Sequence, residues 1–163
     1  MSDILELCAQ LPVKVLQEDE VLLQEGASTG KLYVLLEGTV EVLKGDFQVN
    51  VVSHPGSFFG EISVLLDLSH MATVKAVEQS RFYVVEDALN FLESNPHLAL
   101  AVGRLVASRL QQVTTYLVDL KNQFEDHEDH LGMVDQVLES LLHNQSSPNK
   151  VTPGSDREYE PNI

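Results

Sequence analysis

One run of this 163-residue chain holds the residues best suited to chemistry: Phe59-Gly60-Glu61-Ile62-Ser63-Val64-Leu65-Leu66-Asp67-Leu68-Ser69-His70-Met71-Ala72-Thr73-Val74-Lys75-Ala76. A glycine at position 60 lets the backbone come close to a ligand that a side chain would hold off. The apolar stretch from Ile62 to Leu66 spells a short helix. Its first N–H groups lack intrahelical partners and form the positive end of its dipole, which suits an anion. Glu61 supplies a carboxylate able to accept hydrogen bonds from sugar hydroxyls. A loop then leads back into a strand. Such a layout can hold a phosphate and a ribose together.

Other groupings lead nowhere comparable. In His127-Glu128-Asp129-His130 the two imidazoles lie three apart and share a helix face. No cysteine ligand and no second cluster completes a shell around them, so the segment reads as a solvated acidic hinge and not as a metal site. No His-x-His pair, Gly-x-Ser-x-Gly elbow, Walker loop or dinucleotide fingerprint occurs. His54, His97 and His143 read as surface residues, and Asp119 as an ordinary helix residue. The chain is therefore not expected to be an enzyme, and neither a metal nor another cofactor is expected.

The elements that must position the run follow from periodicity. Ile4, Leu5, Leu7, Cys8 and Leu11 fit one face of an N-terminal helix ended by Pro12. From Val13 to Val51 apolar residues mostly alternate with others between frequent glycines, the pattern of a sandwich or barrel of short strands. Lys44-Gly45-Asp46 reads as a hairpin tip. Two more strands are expected over residues 73–78 and 81–86, and a short helix over 88–93. A long helix follows over about 96–124, with Pro96 at its first position and Ser94 or Asn95 as its cap. Leu98, Val102, Leu105, Val106, Leu110, Val113, Leu117 and Leu120 form a helical stripe along it, longer than one small barrel face needs. The stripe predicts pairing with a second copy, so a homodimer is expected. A last amphipathic helix is expected over 131–142, and residues 144–163 read as a disordered tail. The expected division is a domain over 1–124, the amphipathic helix within 125–143, and the tail.

Composition narrows the function. Ten Lys and Arg against 25 Asp and Glu give a formal charge of −15, which argues against nucleic acid and against anionic lipid as partners. A small anion is still allowed, because backbone dipoles can dominate locally. Cys8, the only cysteine, excludes an intrachain disulfide and reads as a small buried hydrophobe. No signal segment and no membrane-length apolar stretch appears, so a cytoplasmic protein is expected.

The run from Phe59 to Ala76 resembles the phosphate-binding cassette of cyclic-nucleotide-binding domains, as found in the catabolite activator family and in regulatory subunits of protein kinase A. A second stretch, Lys31-Leu32-Tyr33-Val34-Leu35-Leu36-Glu37-Gly38-Thr39-Val40-Glu41-Val42, is similar to that family's strand, Glu-Gly turn and return strand. The resemblance covers roughly residues 5–124. It implies an α+β, mainly β fold: an antiparallel β-roll of jelly-roll type with a short N-terminal helix and long C-terminal helices.

Carried over residue by residue, the resemblance implies that the Gly60 backbone faces the ligand and that Glu61 binds the ribose 2′-hydroxyl. Ile62 begins the apolar stretch of the cassette helix, and the Ala72 backbone lies near the phosphate. Met71 stands where a smaller residue is usual, and Ser69 where proline is common. His70 occupies the place of an arginine that pairs with the cyclic phosphate. Arginine offers a permanently charged planar fork, whereas histidine is mostly neutral near pH 7. Losing such a contact is worth about ten- to a hundredfold in affinity. The long helix would cap the base, with Thr114 and Thr115 as its polar candidates. The implied function is a regulatory module that binds cyclic AMP, or cyclic GMP, and signals to a protein partner through its C-terminal helices. No helix-turn-helix reader follows the long helix, which again speaks against DNA. The second reading is the same fold with a degenerate pocket, serving as an oligomerisation or interaction scaffold.

Overall fold

The alternation after Pro12 resolves into eight strands in the computed structural model, which describes residues 4–124 and 128–143. They are β1 (Val13–Leu16), β2 (Val21–Leu23), β3 (Leu32–Glu37), β4 (Val40–Lys44), β5 (Phe47–Val52), β6 (Phe58–Phe59), β7 (Thr73–Ala76) and β8 (Ser80–Val85). Helix α1 (Ile4–Leu7) precedes them, and α2 (Glu61–Leu66) sits between β6 and β7. After β8 come α3 (Ala88–Ser94), α4 (Pro96–Gln123) and α5 (Glu128–His143). The expected α+β, mainly β architecture is observed: antiparallel sheets with a short N-terminal helix and C-terminal helices, as in a β-roll.

The strands form two four-stranded sheets, ordered β1-β8-β3-β6 and β2-β7-β4-β5, with every pairing antiparallel. Side chains at every second position point inward. Leu16, Leu22, Tyr33, Leu35, Val40, Phe59, Val74 and Phe82 meet there in one apolar core. The Phe82 ring stands nearly perpendicular to those of Phe59 and Tyr33, with centroids 6.1 and 6.5 Å away, the geometry that aromatic quadrupoles favour. Phe59 is also the residue before Gly60, so the core fixes the entry to the cassette.

The Glu-Gly turn between β3 and β4 depends on Gly38. Its φ is +105°, and a Cβ there would come within 2.6 Å of the Ser80 Cα. The buried Ser80 hydroxyl accepts the Thr39 amide at 3.1 Å, which joins the turn to the start of β8. The expected hairpin tip appears at Lys44-Gly45-Asp46, between β4 and β5.

Two local expectations are refined. The N-terminal helix closes after one turn, and Cys8, just beyond it, is its fully buried anchor. At the junction of α3 and α4, the Ser94 hydroxyl donates to the Asn90 carbonyl and the Asn95 amide donates to the Phe91 carbonyl. Both side chains thus turn back on α3, while Pro96 opens α4 as expected.

Two compact units divide the chain, the first ending at Leu105 and the second beginning at Val106, so α4 contributes to both. Within the first, α4 buries Leu98 and Val102. Within the second, α4 presents Leu110 and Val113 at 45% and 50% exposure, and Lys121 pairs with Asp135 of α5. No helix of the described residues is long and apolar enough to cross a membrane. The tail over 144–163 and the acidic junction at 125–127, including His127 of the two-histidine segment, lie outside the described residues.

Candidate functional site

Gly60 starts the site. It precedes α2 with φ +89° and ψ −1°, a left-handed conformation that suits glycine. A Cβ there would lie 2.6 Å from the Lys31 carbonyl oxygen. The glycine is therefore demanded by the fold itself, since the turn passes directly over the strand entering β3. The first helical bond runs from the Val64 amide to the Gly60 carbonyl at 3.1 Å, so the amides of Ile62 and Ser63 lead the helix ahead of its first backbone bond. Glu61 is 4% exposed and Val64 is buried on the same side of α2, while Ile62, Leu65 and Leu66 face outward. The helix ends at Asp67, left-handed at φ +52°, whose amide donates to the Ser63 carbonyl.

His70 lies beneath this turn and is 3% exposed. Its Nδ1 is 2.9 Å from the Ser63 hydroxyl on α2, and its Nε2 is 3.1 Å from the Thr29 hydroxyl on the loop before β3. A neutral imidazole donates from one nitrogen and accepts at the other, so the ring satisfies both hydroxyls at once. The His70 backbone repeats the link: its amide donates to the Ala27 carbonyl and its carbonyl accepts the Gly26 amide, both at 2.8 Å. Burial pushes the imidazole below its ordinary value of 6.5, because the charged form loses its hydration.

Met71 and Ala72 follow at the rim. Met71 is 58% exposed. Its carbonyl accepts from the Lys44 ammonium at 2.7 Å. Lys44 also pairs with Glu25 Oε1 at 2.7 Å, and Glu25 Oε2 accepts the Gly45 amide at 2.9 Å. The Lys44 ammonium first, and then the Gly45 amide, hold the Glu25 carboxyl below its ordinary value. The Thr73 hydroxyl accepts the Glu25 amide at 3.0 Å. The cassette loop is thereby joined to the segment before β3 and to the tip of the β4–β5 hairpin.

Among the expected site residues, the fold brings Gly60, Glu61, Ile62, His70, Met71 and Ala72 into one cassette within the first unit. Thr114 and Thr115 belong to α4 in the second unit, where the Thr114 hydroxyl donates to the Leu110 carbonyl of its own helix. Thr29, Ser63 and Glu25 were not singled out as site residues from the sequence, and Lys44 was read only as part of a hairpin tip. Lys44 had a legible signal, since it continues the alternation of Val40 and Val42 toward the core side; the other three had none beyond their proximity to the signatures. A cavity of about 320 Å³ lies elsewhere, between β8 and α3, lined by Leu11, Pro12, Val84, Asp87, Asn90 and Phe91 among others, and includes none of these residues. Its lining includes the polar residues Glu86, Asp87, Asn90 and Ser94, but the signature residues read from the sequence lie in the cassette, which carries the functional argument. Among the described residues no group of three or more His, Cys, Asp or Glu is placed to hold a metal ion.

Comparison with known proteins points to the same region. The model of the cyclic nucleotide-binding domain family matches residues 13–94, from β1 to the end of α3. A putative potassium channel protein of Rhodopseudomonas palustris is 29% identical over 127 residues, which span 75% of this chain and 31% of the channel. The cAMP-dependent protein kinase regulatory subunit of Dictyostelium discoideum is 37% identical over 68 residues, or 37% of this chain and 21% of that protein. The chain thus spans less than a third of the length of either. Among solved structures, the catabolite activator protein of Thermus thermophilus superposes with a TM-score of 0.62 at 22% identity, covering 74% of this chain and 60% of that one. At that identity the likeness speaks for the fold.

Proposed function

The chain belongs to the cyclic nucleotide-binding domain family, and we propose that it is a non-enzymatic regulatory module that binds cyclic AMP, with cyclic GMP as the competing ligand. The observation that carries this reading is the Gly60–Glu61 turn. It combines a left-handed glycine, a carboxylate recruited into the fold and the leading amides of Ile62 and Ser63 in α2 at one place. These are the groups a ribose hydroxyl and a phosphate need. The Dictyostelium relative is named as the regulatory subunit of a cAMP-dependent protein kinase, which supports a module that reports occupancy.

Its output would be contact with protein. In the second unit, Val106, Leu110, Val113, Leu117, Leu120 and Phe124 follow a four-three spacing, the seam of a two-stranded coiled coil. With Leu110 and Val113 half exposed, this stripe supports a homodimer, and α5 supplies the surface for a further partner. Sedimentation equilibrium tests the dimer: a dimeric mass that Leu110→Glu converts to a monomeric one is expected, and a monomer at all concentrations contradicts it.

A second reading has its own observation. His70 spends both ring nitrogens on protein hydroxyls, which would suit a cassette that persists as scaffold without a nucleotide. Calorimetric titration with cyclic AMP and cyclic GMP separates the two. The nucleotide reading expects saturable heat that Glu61→Ala reduces by about tenfold or more. Neither heat nor thermal stabilisation at millimolar nucleotide would leave the scaffold.

A further inference from the structure

We propose that Lys44, at the tip of the β4–β5 hairpin, is the cationic anchor for the nucleotide phosphate, the task that the family resemblance would give to an arginine at position 70. The inference rests on the nucleotide-binding reading above and adds the residue that meets the anion.

Position 70 has other work. Its ring lies under the turn, with Nδ1 on Ser63 and Nε2 on Thr29. It acts as an internal brace between α2 and the loop before β3. A cyclic phosphate still carries a full negative charge, and leading amides alone leave that charge without a cationic partner. Charge-assisted contacts are about twice as strong as neutral ones.

Lys44 reaches the same loop from the opposite strand. Val40 is fully buried in the core and Val42 packs against it, and alternation along β4 puts Lys44 on that same side. As the last residue of the strand, it carries the inner face out to the rim. There its Nζ sits 2.7 Å from the carbonyl of Met71, the residue between His70 and Ala72. Two other lysines beside the cassette, Lys31, whose carbonyl abuts Gly60, and Lys75 of β7, pair with Glu86 and with Asp19 and Glu41 respectively.

The ammonium is aimed and has capacity left. Glu25 is itself fixed, one oxygen on Lys44 and the other on the Gly45 amide, so it holds Nζ over the loop. An ammonium has three donors. The Met71 carbonyl and Glu25 take two of them, and the side chain is 59% exposed. A phosphate at the rim would take the third donor and compete with Glu25 for the charge. The two partners of this ion pair therefore have opposite effects on binding: Lys44 favours the anion and Glu25 opposes it.

That opposition gives the test. The full chain and its Lys44→Gln, Lys44→Arg and Glu25→Gln variants are titrated with cyclic AMP by calorimetry, with thermal melts to confirm folding. The expected result is about a tenfold or greater loss for Lys44→Gln, near-complete rescue by Lys44→Arg, and tighter binding for Glu25→Gln. The wild-type affinity should also fall as salt rises from ~0.05 to ~0.5 M, since the contact is exposed to screening. A purely structural ion pair would make Lys44→Gln and Glu25→Gln weaken binding alike, and that result overturns the proposal. Wild-type binding with an unchanged Lys44→Gln affinity overturns it too, while leaving nucleotide binding in place. A wild-type chain that binds no cyclic AMP overturns both.

Discussion

The Ser63 hydroxyl on the cassette helix lies 2.9 Å from Nδ1 of His70, seven residues later in the chain. The two residues close the cassette on itself, and Thr29, 3.1 Å from Nε2, extends the link to the neighbouring loop. A residue in the expected anion-facing position thus braces the structure that would present the anion site.

The brace has a measurable worth. Replacing His70 by Ala leaves two hydroxyls without their partner in a site that is 3% exposed at the histidine. Ser63 is half-buried and Thr29 exposed, so water can reach both hydroxyls and the loss is that of two hydrogen bonds, about 0.5–1.5 kcal/mol each; urea unfolding should show a loss of about 1–3 kcal/mol. Combining it with Ser63→Ala should give less than the sum of the two single losses, because the second change removes an interaction already lost. Additive losses would mean that the two side chains are not coupled.

The same histidine sets a pH dependence. Its folded value lies below the ordinary 6.5 because burial disfavours the imidazolium. The unfolded chain then binds the proton more readily, so stability rises with pH wherever the two states differ. The contribution is fully present above about 6.5, falls as the pH drops below that, and is lost once the pH has passed the folded value. Urea midpoints across this range should decline toward acid in the wild type and decline less in His70→Gln. Equal slopes would contradict the assignment. Glu25 and Glu41 act in a separate, more acidic window: Lys44 holds the first, and Gln48 with Lys75 the second, below their ordinary 4.5.

Ligand binding offers a related contrast. A His70 whose ring nitrogens are both held by protein hydroxyls, and which does not touch the phosphate, predicts a cyclic AMP affinity that is nearly the same at about pH 6 and pH 8. Markedly tighter binding at the lower pH would restore His70 as a direct phosphate contact.

Two glycines separate conformational strain from collision. Gly26 and Gly60 have similar angles, φ +83° and +89°, but a Cβ at Gly26 meets nothing within 4 Å, whereas at Gly60 it meets the Lys31 carbonyl at 2.6 Å. Gly26→Ala should cost about 1 kcal/mol, from the left-handed backbone alone. Gly60→Ala should cost more, about 2 kcal/mol or above, since the carbonyl belongs to the backbone and cannot swing away. Equal losses by chemical denaturation would refute the close approach.

Cys8 should be inert in the folded protein. It is fully buried, and burial pushes its thiol up to about 11, so the reactive thiolate is scarce at neutral pH. A thiol reagent should modify it only at the rate of unfolding, and rapid labelling of the native chain would contradict its burial.

Much of this arrangement was legible in the sequence. Alternating apolar residues between glycines announced the strands, and the Gly38 and Gly60 turns stand where the two signatures put them. Cys8 is buried as its residue type suggests. The brace was not legible, because serine and threonine carry no periodic signal and His70 reads as a ligand partner only by position. The network of Glu25, Lys44 and Met71 was hidden for a different reason. It joins segments far apart in the chain, and the pairings of both β2 and β4 with β7 bring them together. The early end of α1 follows from tertiary packing: one buried residue, Cys8, anchors the segment, and the apolar face read from the sequence is only partly used.

The most direct measurement is an amide-resolved NMR titration of the isotope-labelled chain with cyclic AMP. Binding at the cassette predicts saturable shifts centred on the amides of residues 60–63 and on Ala72, with Gly45 responding as Lys44 is shared between Glu25 and the phosphate. An unchanged spectrum at millimolar cyclic AMP, or shifts confined to residues outside the cassette, would contradict the account.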